Sequence, residues 1–183
     1  MSLFDSKGVK GFPFADEVIR VHHFCFEVSN LRIAPVYALL FISRRSHFMK
    51  TQSTLELSDV KAIAAAAEAE ALKNNWAVSI AIVDAGGHLL HFARLDGAAP
   101  VSSHIAPAKA HTAALGCRES KVYEDVINGG RMSFLSAPAI QGMLEGGVPI
   151  MKDGFCLGAV GVSGVKSTED AQIAKAGIAA IGL

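Results

Sequence analysis

Between residues 58 and 73 apolar side chains return every three or four positions, at Val60, Ile63, Ala64, Ala67 and Ala71. That spacing marks one face of a helix. Ser58 reads as its N-cap, with Asp59 in the first turn and Asn74-Asn75 as its end. The pattern then changes. Residues 76–83 are dense in Val, Ile and Ala and predict a buried strand. Asp84-Ala85-Gly86-Gly87 reads as a turn and residues 88–94 as the returning strand of a hairpin.

A second helix is expected from Ser102 or Ser103 to Leu115, stopped by Gly116. A shorter one follows from Ser120, as N-cap, to Asn128, stopped by Gly129-Gly130. Residues 131–147 carry a weaker pattern, with a helical turn expected over 138–144. Residues 148–151 and 155–162 predict a second hairpin around the turn Asp153-Gly154. Ser167 or Thr168 caps a last helix striped by Ile173, Ala176, Gly177 and Ala180. Two hairpins with helices between and outside them predict an antiparallel sheet flanked by helices, and exclude a Rossmann arrangement.

Composition sharpens this picture. The chain has 183 residues, 17 Lys or Arg against 17 Asp or Glu, and 51% hydrophobic residues. One ordinary domain fits that length. A neutral chain lacks the cationic field of a general nucleic-acid binder. Residues 1–48 differ from the rest: six basic residues against four acidic give +2, and the remaining eleven against thirteen give −2. Their longest apolar run, 33–42, is interrupted by Pro35 and is shorter than the ~20 residues of a membrane span. It also makes a poor secretory signal. Residues 1–48 therefore read as an appendage, and 49–183 as the folded domain. Short Ala-rich helices bury little area each (roughly 25 cal/mol per Å²), so a homo-oligomer is expected.

Candidate chemistry is sparse. Gly161 to Thr168 resembles a phosphate-binding loop, but Val165 separates Gly164 from Lys166, so the Gly-Lys-Ser/Thr ending is missing. Such a loop before a helix can hold an anion or simply permit a turn. On the second helix His104, Ala108, His111 and Leu115 share one face, beside Ile105, Lys109 and Thr112. The two imidazoles lie roughly 10.5 Å apart along the axis, too far to share one metal ion. Either suits a haem iron, or is a structural residue. Lys109 and Arg94 suit ligand carboxylates, or are solvated charges or salt-bridge partners of Asp96. Cys117 and Cys156 read as buried thiols.

Several stretches now form a recognisable set. They are Val78-Ser-Ile-Ala-Ile-Val-Asp-Ala-Gly-Gly-His-Leu-Leu90, Lys109-Ala-His-Thr-Ala-Ala-Leu-Gly116, Gly146-Gly-Val-Pro-Ile150, and Gly158-Ala-Val-Gly-Val-Ser-Gly164 with Glu169-Asp-Ala-Gln172. In this order they resemble the GlcG/HbpS family, also called the haem-degrading or DUF336 family, over roughly residues 50–183. The resemblance implies an α-β-α sandwich around an antiparallel sheet of about five strands in profilin-like layers. It implies oligomers, often octamers, and members that bind haem or iron. The family's recurrent polar positions fall on Arg94, Asp96, Lys109, Thr112 and Gly147. Where many members carry Arg or Tyr after Lys-Ala, this chain has His111.

Three readings follow. The first is a binding protein for haem or another planar or carboxylated small molecule, with His104 or His111 meeting iron. The second is a small enzyme acting on an oxo acid, enamine or imine, with Lys109 or His111 as acid/base groups. The third is an accessory subunit without chemistry of its own. Secreted members of the family carry a signal peptide and this sequence shows none, so the expected location is the cytoplasm; neither nucleic acid nor membrane is an expected partner.

Overall fold

The computed structural model describes residues 51–183, so the reading of residues 1–48 as an appendage falls outside the described residues. The elements follow the chain as α1 (Leu57–Lys73), β1 (Ser79–Asp84), β2 (Leu89–Arg94), α2 (Ser102–Gly116), α3 (Lys121–Asn128), β3 (Gly147–Lys152), β4 (Phe155–Ser163) and α4 (Ser167–Ala179). The strands form an antiparallel sheet in the order β2-β1-β4-β3. Helices α1 and α4 cover one face and α2 the other, an α-β-α sandwich.

The sheet has four strands among the described residues, not about five. At the β3 edge, Gly147 turns both its N–H and its C=O to Ser120. That position pairs with a loop residue instead of a further strand.

Helix α1 buries the stripe its spacing predicts: Val60, Ile63, Ala64, Ala67 and Ala71. Its N-cap is Glu56, not Ser58. The Asp59 carboxylate accepts the Glu56 N–H at 2.9 Å, which places the cap three residues before the acid. The same correction holds for α4. There Glu169 accepts the Lys166 N–H at 3.2 Å, so Lys166 caps and Ser167 is already helical.

Helix α2 runs one residue past the expected stop. Gly116 is helical, and Cys117 takes the left-handed turn at φ 50°. The reason is space: a Cβ on Gly116 would sit 2.2 Å from the Tyr123 hydroxyl oxygen. Helix α3 starts after Ser120 as expected, but the Ser120 hydroxyl donates to the Leu144 carbonyl instead of capping. In 131–147 the helical turn falls earlier than expected, as a 3-10 helix over Met132–Ser136. Residues 138–144 form no helix. They are drawn onto α2, where the Gly142 N–H donates to Thr112 Oγ1 at 3.1 Å. The second hairpin turns at Asp153-Gly154, both with positive φ (50° and 80°), the geometry that two-residue hairpin turns require.

Candidate functional site

Helix α2 lies against the sheet almost without intervening side chains. A Cβ on Gly161 of β4 would come 2.2 Å from the Ala106 carbonyl oxygen, and one on Gly147 of β3 would come 2.3 Å from the Lys109 carbonyl oxygen. This close approach fixes the helix over β4 and aims its His111 side toward the β1–β2 turn. There Gly87 has φ 81°, and a Cβ on it would stand 2.5 Å from His111 Cδ2. Gly87 is therefore needed twice, for the turn and for the imidazole resting on it.

Beside that imidazole is a hollow of about 400 Å³, with Val83, Leu89, Pro107, Ala108 and Pro138 among its walls. Its size falls in the range of roughly 300–1,000 Å³ usual for small-molecule clefts. His111 is half-buried and supplies the ring nitrogens; Gln141 adds an amide. Pro107 has no N–H to offer the helix and spends its ring on the wall of the hollow. A proline inside a helical pattern, four residues before a histidine, is the signal that locates this wall in the sequence.

The other expected site residues are dispersed. His104 is exposed, two turns from His111, and does not line the hollow. Arg94 is exposed at the end of β2. Asp96 borders a different hollow, of about 320 Å³, beside Trp76 and Leu95. Thr112 is buried and binds Gly142, as above. Gly147 is buried under α2, where a Cβ would meet the Lys109 carbonyl oxygen at 2.3 Å.

Lys109 has a different environment from the one expected of a ligand-facing cation. Its side chain is 4% exposed, and Nζ donates to Asp170 Oδ2 at 2.9 Å and to the Val162 carbonyl at 3.0 Å. Burial pushes the Asp170 carboxyl above its ordinary 3.8, with the Lys109 hydrogen bond and charge pulling back part of the way. Asp170 Oδ1 also accepts the Val165 N–H at 3.3 Å. Together with Glu169 on the Lys166 N–H, it fills the glycine-rich loop with the chain's own carboxylates, where an anion was one expectation. Nothing beside Asp170 in the sequence marks it as this partner, because Lys109 lies 61 positions away. Of the two thiols expected to be buried, Cys156 is buried and Cys117 is exposed. Cys117 ends the helix, where no further turn covers it. Among the described residues no three His, Cys, Asp or Glu side chains come together as a metal site. Nor is any described helix long and apolar enough to cross a membrane.

A three-layer α-β-α sandwich with an imidazole beside an apolar hollow is the class that these features define. Within it, the chain belongs to the family described as haem-degrading, HbpS-like proteins, which matches residues 55–179. It is 53% identical over 115 residues to protein GlcG of Escherichia coli (strain K12), covering 63% of this chain and 85% of GlcG. Among solved structures it is similar to a PduOC:heme complex, at 30% identity and a TM-score of 0.64, over 70% of this chain and 95% of that one. It is also similar to a double mutant of HbpS from Streptomyces reticuli, at 29% identity and a TM-score of 0.67, over 82% and 99% of the two chains.

Proposed function

We propose that this chain binds haem in the hollow beside His111, as a homo-oligomer. The observation that carries the reading is one imidazole set against apolar walls. The donor set favours haem over bare iron. A free metal ion needs several protein ligands, and this hollow offers a single histidine. A porphyrin brings four nitrogens of its own and asks the protein for an axial ligand and a greasy slot. His111 would be that ligand, and Val83, Leu89, Pro107 and Pro138 would face the ring. Bound haem would supply an iron centre; the chain supplies the nitrogen, the walls and the exclusion of water. The haem complex of the PduOC relative supports the assignment. Lys109 stays outside this site, because its ammonium is committed to Asp170 within the interior.

The oligomer reading is supported by the rim. Leu89 and Phe92 of edge strand β2 are 56% and 38% exposed, on the α2 side of the sheet. A second copy covering that edge would deepen the hollow and hide both side chains.

A Soret titration of the purified protein tests the proposal. One equivalent of haem should give a protein-bound band, His111→Ala should lose or shift it, and His104→Ala should leave it unchanged. A free-haem spectrum at stoichiometric protein would overturn the reading. Native mass measurement gives the stoichiometry of the assembly.

A further inference from the structure

We propose that Cys117 and Cys156 form a dithiol that closes to an intramolecular disulfide when the protein meets hydrogen peroxide. The inference is independent of the hollow at His111. Cys117 stands exposed at the end of α2, and Cys156 is buried in β4. They lie 39 positions apart in sequence, yet their sulfurs share one acceptor. Cys117 Sγ donates to the Ala114 carbonyl at 3.5 Å, and Cys156 Sγ, whose nearer acceptor is the Gly158 carbonyl at 3.3 Å, lies 3.6 Å from the same Ala114 oxygen. Two thiols on one oxygen are neighbours, and one of them is open to solvent. Burial pushes the Cys156 thiol above its usual 9.0, the Gly158 backbone hydrogen bond offsets part of that, and the adjacent Cys117 sulfur adds to the rise.

This asymmetry sets the order of events. The exposed Cys117 sulfur attacks the peroxide: an S–O bond forms, the O–O bond breaks, and one water leaves, giving a sulfenic acid. The Cys156 sulfur then attacks Cys117 Sγ. The S–S bond forms, the S–O bond breaks, and the departing hydroxide takes the thiol proton as a second water. Two sulfurs are oxidised and the two peroxide oxygens are reduced to water. The new bond ties the end of α2 to β4, and the exposed thiol is spared further oxidation.

The test uses the full chain treated with a small excess of hydrogen peroxide, alkylated, and digested with trypsin without reductant. The expected product is peptide 110–118 joined to peptide 153–166, lighter by two hydrogens, from a protein that still runs as a single chain on a denaturing gel. Dithiothreitol should restore both thiols. At the same dose Cys156→Ser should carry Cys117 on to sulfinic acid, while Cys117→Ser should leave Cys156 reduced. Any of three results in the parent chain overturns the proposal: unlinked peptides, whether unoxidised or carrying sulfinic acid; linkage of either cysteine to Cys25, the third cysteine of the sequence; or linkage between two chains.

Discussion

The two faces of the sheet are packed by opposite means. On the α1/α4 face large aliphatic side chains interlock: Ile63, Ile80, Ile82, Ile150, Val160, Val162 and Ile173 are fully buried. On the α2 face the buried residues are mostly alanines, at 81, 106, 110, 113, 114 and 159, over Gly161 and Gly147. The first face gains its stability from buried methyl groups, at roughly 25 cal/mol per Å². The second gains little area per residue and holds its helix at backbone distance. A helix set down so closely has little freedom to shift, and that is the helix which carries His111. The thick face makes the fold stable, and the thin face makes the site exact in position.

The link between the faces gives the largest expected effect. Lys109→Met leaves the Asp170 carboxylate buried without its cation, which should cost about 3–5 kcal/mol, read as a lowered urea midpoint. Adding Asp170→Leu should restore most of the loss. If Lys109→Met alone is neutral, the pair does not hold the layers together.

Next comes the contrast between the faces themselves. Ile80→Ala opens a void on the thick face and should cost about 2–5 kcal/mol. Gly161→Ala adds one methyl group on the thin face, against the Ala106 carbonyl, and should cost about 1–3 kcal/mol. Only the second should also disturb the His111 hollow. Thermal melts and the haem titration together separate the two; a Gly161→Ala protein with parental stability would erase the contrast.

The smallest effect is in pH. Asp170 has its folded pKa raised by burial, so the folded chain holds that proton more tightly than the unfolded one. Its contribution is greatest below 3.8 and is lost as pH rises through its folded value. Asp84, at the β1–β2 turn, behaves oppositely. Burial is the largest single influence and raises it, but the hydrogen bonds from His88 and Gly86 and the His88 charge together outweigh that and hold it below 3.8. Its contribution is present above 3.8 and lost as pH falls through the lowered value. Because this pair is largely exposed, it is worth under ~1 kcal/mol. Urea curves across pH should show a shallower acid limb for Asp84→Asn; an unchanged limb would remove that assignment.

What was legible in the sequence is what depends on neighbours along the chain. The period of Val60, Ile63, Ala67 and Ala71 gave α1, and Asp153-Gly154 gave its hairpin, since both signals are local. Residue preference points to N-caps at Ser58 and at Ser167 or Thr168, but the N3 carboxylates of Asp59 and Glu169 take the backbone N–H groups of Glu56 and Lys166 instead. That choice is decided by geometry and not by residue preference. His111 could be named from its helix face, but its hollow could not, because Pro138 and Gln141 come from an irregular segment without periodicity. Lys109 looks like a ligand's partner in the sequence for the same reason: nothing near it along the chain announces Asp170.

That lysine reaches from one outer layer, past the final carbonyls of β4, to the helix on the far side. Asp170 sits in the first turn of helix α4. Unwinding its first turn would strand an ammonium inside the protein, in contact with neither water nor a counter-ion. The helix under the hollow and the helix behind the sheet are thus bound into one cooperative unit. A disturbance at the back of the molecule is felt at its front.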